Sequence, residues 1–230
     1  PEEAGPVARF AGKELQTFLS SSLEGEVPLA TSPAEGKTSL ILGNTRYLRD
    51  AGINVDALPR DGFVIRSSGN RILIAGRDDM KTDPERVAAS GSFWGALYER
   101  GTLFGVYEFL ERFAGVRFYF PGEIGTIVPK HDRFVLGELN LSDRPDFEVR
   151  KLLLSGTSAG RLYWVGNEKR ESVLSAYRLR LETKYIPNCH GLGRLEYIER
   201  FGTSHPEYFA LLPDGRRYKE PDMPHTGQLC

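Results

Sequence analysis

Side chains able to do chemistry are sparse in this chain and widely spaced. Its two cysteines, Cys189 and Cys230, form no Cys-x-x-Cys pair and leave the redox compartment open. The four histidines show no His-x-x-x-His spacing, so no metal site is expected. Several glycines invite comparison with a phosphate cradle. None continues into Gly-Lys-Ser/Thr and none fits Gly-x-Gly-x-x-Gly, so no nucleotide cofactor is expected either. Hydrolysis by paired carboxyl groups needs one held protonated and one ionised. Glu207 and Asp214 are the only pair open to nomination, and both fall in an expected loop without rigid strand-end support. No catalytic residue is assigned on this pattern.

The bulk properties narrow the classes further. Across 230 residues, 40% are hydrophobic and 27% charged, which is ordinary for a folded globular protein and argues against disorder. A net charge of −1 gives no global field that would recruit nucleic acid or an anionic membrane. The densest basic stretches, Arg178 to Lys184 and Arg216 to Lys219, are interrupted or flanked by acids and read as solvated faces. No apolar run approaches the ~20 residues needed to cross a bilayer. Pro1 opens the chain without a methionine, which leaves room for a leader removed earlier.

The elements that must position any site alternate between helix and strand in the first half. Val7, Phe10, Ala11, Leu15, Phe18 and Leu19 recur at helical spacing over residues 5–21. Val27 to Ala30 and Ser39 to Leu42 are short strand candidates, and Asn44 reads as the N-cap of a brief helix ending before Gly52. Phe63 to Arg66 and Arg71 to Ala75 are β-branched runs joined by Ser68-Gly69-Asn70, which predicts a hairpin. Residues 78–99 read as an exposed loop, or a short helix after Pro84. Gly101-Thr102 opens a helix whose face carries Leu103, Val106, Tyr107, Leu110 and Phe113, closed by Gly115. Strands are expected at Val116 to Phe120, Thr126 to Val128 and Phe134 to Leu136. The first half is therefore expected to be a small α+β sandwich.

Gly62-Phe63-Val64-Ile65, Ile74-Ala75-Gly76-Arg77, Arg100 to Glu111, Gly115 to Gly122 and Gly125 to Lys130 together carry a resemblance. They are similar to the non-catalytic domain that precedes the barrel in α-glucuronidases and β-N-acetylhexosaminidases. More closely, the chain resembles bacterial proteins with domain of unknown function 4838, some of them endo-β-N-acetylglucosaminidases of glycoside hydrolase family 163. The resemblance covers residues 5–230. The aromatics Tyr107, Phe109 and Phe113 sit at helical spacing and read as core, which makes this domain a scaffold.

A boundary is expected at Asp143-Arg144-Pro145-Asp146, where proline breaks the preceding strand. The expected domains are 1–143, the accessory α/β domain, and 144–230, the start of a (β/α)8 barrel. Phe147 to Leu154 is a nearly continuous apolar run, as in strands buried on both faces. A helix over residues 168–181 carries Val173, Leu174, Tyr177 and Leu181, and Lys184 to His190 reads as a second strand. Strand, helix, strand is the barrel repeat, with binding groups at the C-terminal strand ends. Two and a half such units cannot close a barrel of eight, so the chain is expected to continue downstream into the remainder of its own barrel.

Arg144 to Arg150 resembles the start of the first barrel strand in hexosaminidase-like enzymes. The resemblance implies that Arg150 bonds sugar hydroxyls, a task suited to a guanidinium fork. It likewise implies a substrate-binding His190 in Asn188-Cys189-His190-Gly191, and His205 to Leu211, Asp214 to Arg217 and Gln228-Leu229-Cys230 also look like the domain 4838 pattern. Arg150, His190, Arg180 and Gln228 are the resulting sugar-contact candidates. Their plain alternatives are an ion pair for Arg150, a buried structural histidine at 190, and solvent exposure for Arg178 and Arg180. His205-Pro206 with Tyr208 reads as a loop folding over the site. The implied protein is a secreted, periplasmic or cell-surface glycoside hydrolase acting on N-acetylglucosamine-containing glycans. Its partner is an oligosaccharide or polysaccharide, and its catalytic carboxylates lie outside this chain. The alternatives are a non-catalytic glycan-binding protein, an α-glucuronidase or a polysaccharide lyase on the same scaffold.

Overall fold

A computed structural model describes residues 4–91, 96–150, 169–181, 183–184 and 196–217. The chain divides into two compact units, residues 1–184 and 185–230.

The first unit is built on a mixed sheet. Helix α1 (Pro6–Leu23) starts on a proline suited to the first helical turn and ends where Glu24 turns left-handed. Its apolar stripe, including Val7, Phe10, Leu15 and Phe18, is buried, as the helical spacing predicts. Strand β1 (Ser39–Leu42) and helix α2 (Arg46–Asp50) follow. Strands β2 (Phe63–Ser68) and β3 (Arg71–Gly76) form the expected hairpin, turning at Gly69, whose φ is +60°. After helix α3 (Pro84–Ser90) comes helix α4 (Gly101–Phe113), then the two-residue strands β4 (Arg117–Phe118) and β5 (Thr126–Ile127). Strand β6 (Asn140–Asp143) completes the sheet, and helix α5 (Lys169–Arg178) closes the described part of this unit.

Sheet order is β1-β3-β2-β6. β1 runs parallel to β3, and the other two ladders are antiparallel. Side-chain alternation explains why β2 and β3 are apolar on both sides. Phe63, Ile65, Ile72 and Ile74 join α1, α4 and α5 in the main core, while Val64, Leu73 and Ala75 meet Leu48, Ile53 and Val55 on the opposite face. Helix α4 lies very close to the sheet. A Cβ on Gly76 would sit 2.4 Å from the Gly101 carbonyl carbon, and one on Gly101 would sit 2.6 Å from the Gly62 oxygen. These glycines serve a backbone-to-backbone approach. The helix is capped from just beyond β3: Asp78 Oδ1 accepts from Thr102 N at 2.9 Å.

Several expectations are corrected. Residues 27–30 form no strand, because Val27 spends its backbone groups on α1: its N–H donates to Ser20 Oγ and its carbonyl accepts from Gln16 Nε2. Thr45, not Asn44, precedes the helix α2. Residues 134–136 are irregular, and the pairing strand is the more polar β6, an edge whose exposed face tolerates Asn140 and Ser142. Residues 147–150 are also irregular, with Phe147 74% exposed, so the expected barrel strand does not begin there; its remainder, 151–154, lies outside the described residues. The described fold is thus mixed α+β, without a closed barrel. Among the described residues the parallel pairing is confined to β1–β3, and no helix is long and apolar enough to cross a membrane.

In the second unit a short helix, Tyr197–Phe201, leads to a single helical turn, Pro206–Tyr208. The buried Phe209 and a bridge between Leu211 and Arg217 follow.

Candidate functional site

Two of the sugar-contact candidates, Arg150 and Arg180, fall within the described residues, and both belong to one buried polar network at the end of α5. Its first member arises from a turn. Gly62 N donates to Pro59 O at 3.0 Å, which places Asp61 in the left-handed region with φ +62° and leaves it almost fully buried. The second arises at the helix end. Leu181 N reaches back to Ala176 O and Arg180 N to Tyr177 O, both at 2.9 Å, a helix-closing pattern that puts Arg180 at φ +52° where glycine is usual.

Arg150 ties these two strained positions together. Its Nη2 donates to Asp61 Oδ2 at 2.6 Å and to Leu181 O at 3.4 Å, and its Nε donates to Arg180 O at 2.7 Å. Nη1 donates to the carbonyls of Phe147 and Glu148. A guanidinium carries five N–H donors, and all five have acceptors within the chain. Arg150 therefore occupies the ion-pair role, with the Asp61 carboxylate as partner.

Further arginines converge on the same helix end. Arg60 donates to Thr183 Oγ1 at 3.1 Å and to Thr183 O at 2.6 Å, while the Thr183 hydroxyl donates to Asp61. The fully buried Arg100 lies over the rings of Tyr98, Phe104 and Tyr177 and donates from Nη2 to Leu181 O at 3.0 Å. The carbonyls of Arg180, Leu181 and Thr183 are thus all held by cations, as suits the negative end of a helix dipole.

Arg180 and Arg178 do not present solvated faces. Arg180 Nη2 bonds Glu111 at 2.6 Å, beside a shallow open depression lined by Glu108, Glu111, Arg112 and Arg117. Arg178 packs over Phe18 and Phe118 and donates from Nε to Glu14 Oε2 at 3.1 Å. The Tyr107 hydroxyl donates to the same oxygen at 2.9 Å, and burial pushes that phenol well above its ordinary pKa, so it remains a donor. The reading of a solvated basic run is corrected for Arg178 and Arg180, which meet Glu14 of α1 and Glu111 of α4, with Glu171 of α5 also near Arg178; Lys184 stays exposed.

His190 and Gln228 lie outside the described residues, as do Cys189 and Cys230. Glu207 and Asp214 are described and exposed. Hydrogen bonds from its own backbone N–H and from the His205 ring hold the Glu207 carboxyl below its ordinary pKa. The Arg216 backbone N–H and guanidinium do the same for Asp214. A general acid needs the opposite shift, so neither is suited to donate a proton. Among the described residues no cluster of His, Cys, Asp and Glu could hold a metal ion.

Sequence reasoning missed Asp61, Arg60, Arg100 and Thr183. Pro59-Arg60-Asp61-Gly62 carries a turn signature that could have flagged a left-handed Asp61. Nothing local marks Arg100 or Thr183.

Over residues 120–230 the chain matches a family described as a domain of unknown function (DUF4838). That stretch is just under half of the chain and contains Arg150, Arg180, His190 and Gln228. No curated protein matches the chain.

Proposed function

We propose that this chain is the N-terminal part of a glycoside hydrolase, working outside the cytoplasm on N-acetylglucosamine-containing glycans. The observation that carries the reading is the family match over residues 120–230, because it falls on the stretch in which the resemblance implies sugar contact. The mixed α+β body ahead of it supports the same reading as a scaffold: its aromatics Tyr107 and Phe109 are buried in the core, not displayed. The chemistry is glycosidic hydrolysis by two carboxyl groups, one protonated and one ionised. Glu207 and Asp214 lack the upward shift that the protonated member needs, so neither is assigned that role. Here the arginine network fixes the exit of α5, and His190 and Gln228 carry the sugar contacts.

The test is incubation of the full-length protein with β-linked N-acetylglucosamine oligomers and with intact N-glycans, followed by assay of new reducing ends. Their release is the expected result. Cleavage of α-linked glucuronic acid instead would move the protein to the neighbouring activity. Binding without cleavage would leave a glycan-binding protein, and neither binding nor cleavage of any glycan would sink both readings.

A further inference from the structure

We propose that His205, Glu207 and Tyr208 form a subsite that receives the face of a pyranose ring, an assignment resting on the glycan reading above. The His205 and Tyr208 rings are stacked, with centroids 4.7 Å apart and planes 7° apart. Phe201 packs obliquely on Tyr208 at 5.7 Å, and Tyr197 meets Phe201 at 5.2 Å. Aromatic rings gathered this way usually belong to a core. These do not: Tyr208 is 44% exposed and the His205 side chain 45%.

Backbone turns fix the segment that carries the rings. His205 N donates to Phe201 O at 2.7 Å, Tyr208 N donates to His205 O at 3.1 Å, and the neighbouring Phe209 is fully buried. Polar groups flank the rings in a defined arrangement. His205 Nδ1 lies 3.0 Å from Glu207 Oε1. A carboxylate only accepts, so Nδ1 carries a proton, and whenever the imidazole is neutral Nε2 keeps a lone pair. The pairing uses one oxygen of Glu207 and leaves the other as an acceptor on a side chain that is 59% exposed.

An apolar ring face bordered by acceptors matches one ligand class well. A pyranose carries axial C–H bonds on its face and hydroxyl donors around its rim. The C–H face covers the aromatic platform, while two rim hydroxyls donate to His205 Nε2 and to Glu207. A purely apolar partner would leave both acceptors unpaired, at a desolvation cost.

The test is calorimetric titration of the full chain with a β-linked N-acetylglucosamine trimer, comparing wild type with variants whose folding is checked by circular dichroism. Tyr208→Ala and His205→Ala should each weaken binding at least about fivefold, and Tyr208→Phe, which keeps the ring face, should stay within about twofold. Tyr119→Ala, an exposed aromatic in the other unit, should leave affinity unchanged. Equal affinity for wild type and both alanine variants overturns the subsite and leaves the glycan reading standing. Loss of affinity in Tyr119→Ala equal to that in Tyr208→Ala also overturns it, since stacking would then be unspecific. A wild-type chain that binds no trimer overturns the subsite too, and the release of reducing ends then decides the glycan reading on its own.

Discussion

Replacing Arg150 with methionine tests whether the network at the end of α5 is a structural clamp. Methionine keeps much of the aliphatic volume and removes every donor. The side chains of Arg150 and Asp61 are only 14% and 8% exposed, so the carboxylate would lose its cation without gaining much water. The Thr183 hydroxyl would remain its partner, and Leu181 O would keep Arg100, but Arg180 O would lose the 2.7 Å bond from Nε. Breaking one partner out of a buried ion pair costs about 3–5 kcal/mol. Loss of the Arg180 carbonyl bond lies within that figure, since both effects follow from the same deletion. Asp61→Asn removes the charge from the other side. The double variant leaves no orphaned charge, so its cost should fall short of the sum of the singles by about 2–3 kcal/mol. Urea unfolding of the four proteins, followed by circular dichroism, measures the cycle. Loss of less than about 1 kcal/mol in Arg150→Met, the range of an exposed ion pair, or strict additivity in the double variant, would refute the clamp.

Two further outcomes follow from strained or half-buried groups. Burial pushes the Asp78 carboxyl up to about 7, against the bonds from Thr102 and with the help of the Glu99 charge. The unfolded chain therefore loses this proton near pH 4 while the folded chain keeps it to about 7, so the group's contribution to stability falls as pH rises through that window. The slope is at most about 1.4 kcal/mol per pH unit for one proton, less where water reaches the group. Asp78→Asn should flatten that part of a stability profile measured between pH 4 and 8, and an unchanged profile would contradict the shift. Arg180 sits at φ +52°, so Arg180→Gly should melt higher than Arg180→Ala, the two differing by about 1 kcal/mol although both lose Glu111. Equal melting temperatures would mean that the left-handed cap carries no strain.

The sequence was most readable where one short window holds the whole physical cause. The β2–β3 hairpin is two β-branched runs around Gly69, and helix α4 is one apolar stripe between glycines; both stand where the pattern put them. Strand β6 was hidden because its partner makes it a strand: Leu139 O accepts from Ser67 N at 2.8 Å, while Asn140 and Ser142 look like loop residues. The apolar signal at residues 134–136 was real but reported packing, since Phe134 and Leu136 lie against the core from an irregular segment.

The candidate site failed to show itself for a related reason. Charge-pattern reasoning looks a few residues along the chain, whereas Glu14 meets Arg178 across 164 residues and Asp61 meets Arg150 across 89. An arginine seen without its distant carboxylate reads as solvated, and its aliphatic stem, which lets Arg178 lie over two phenylalanine rings, leaves no periodic trace. Backbone strain leaves little trace: the Pro59-Arg60-Asp61-Gly62 turn hints at a left-handed Asp61, while nothing around Arg180 asks for positive φ. Yet both adopt it, and one guanidinium bonds to both. A left-handed arginine persists only when its surroundings over-determine it. Here the surroundings are a carboxylate on one side and a second arginine on the other. Such an arrangement holds the last turn of α5 to one geometry.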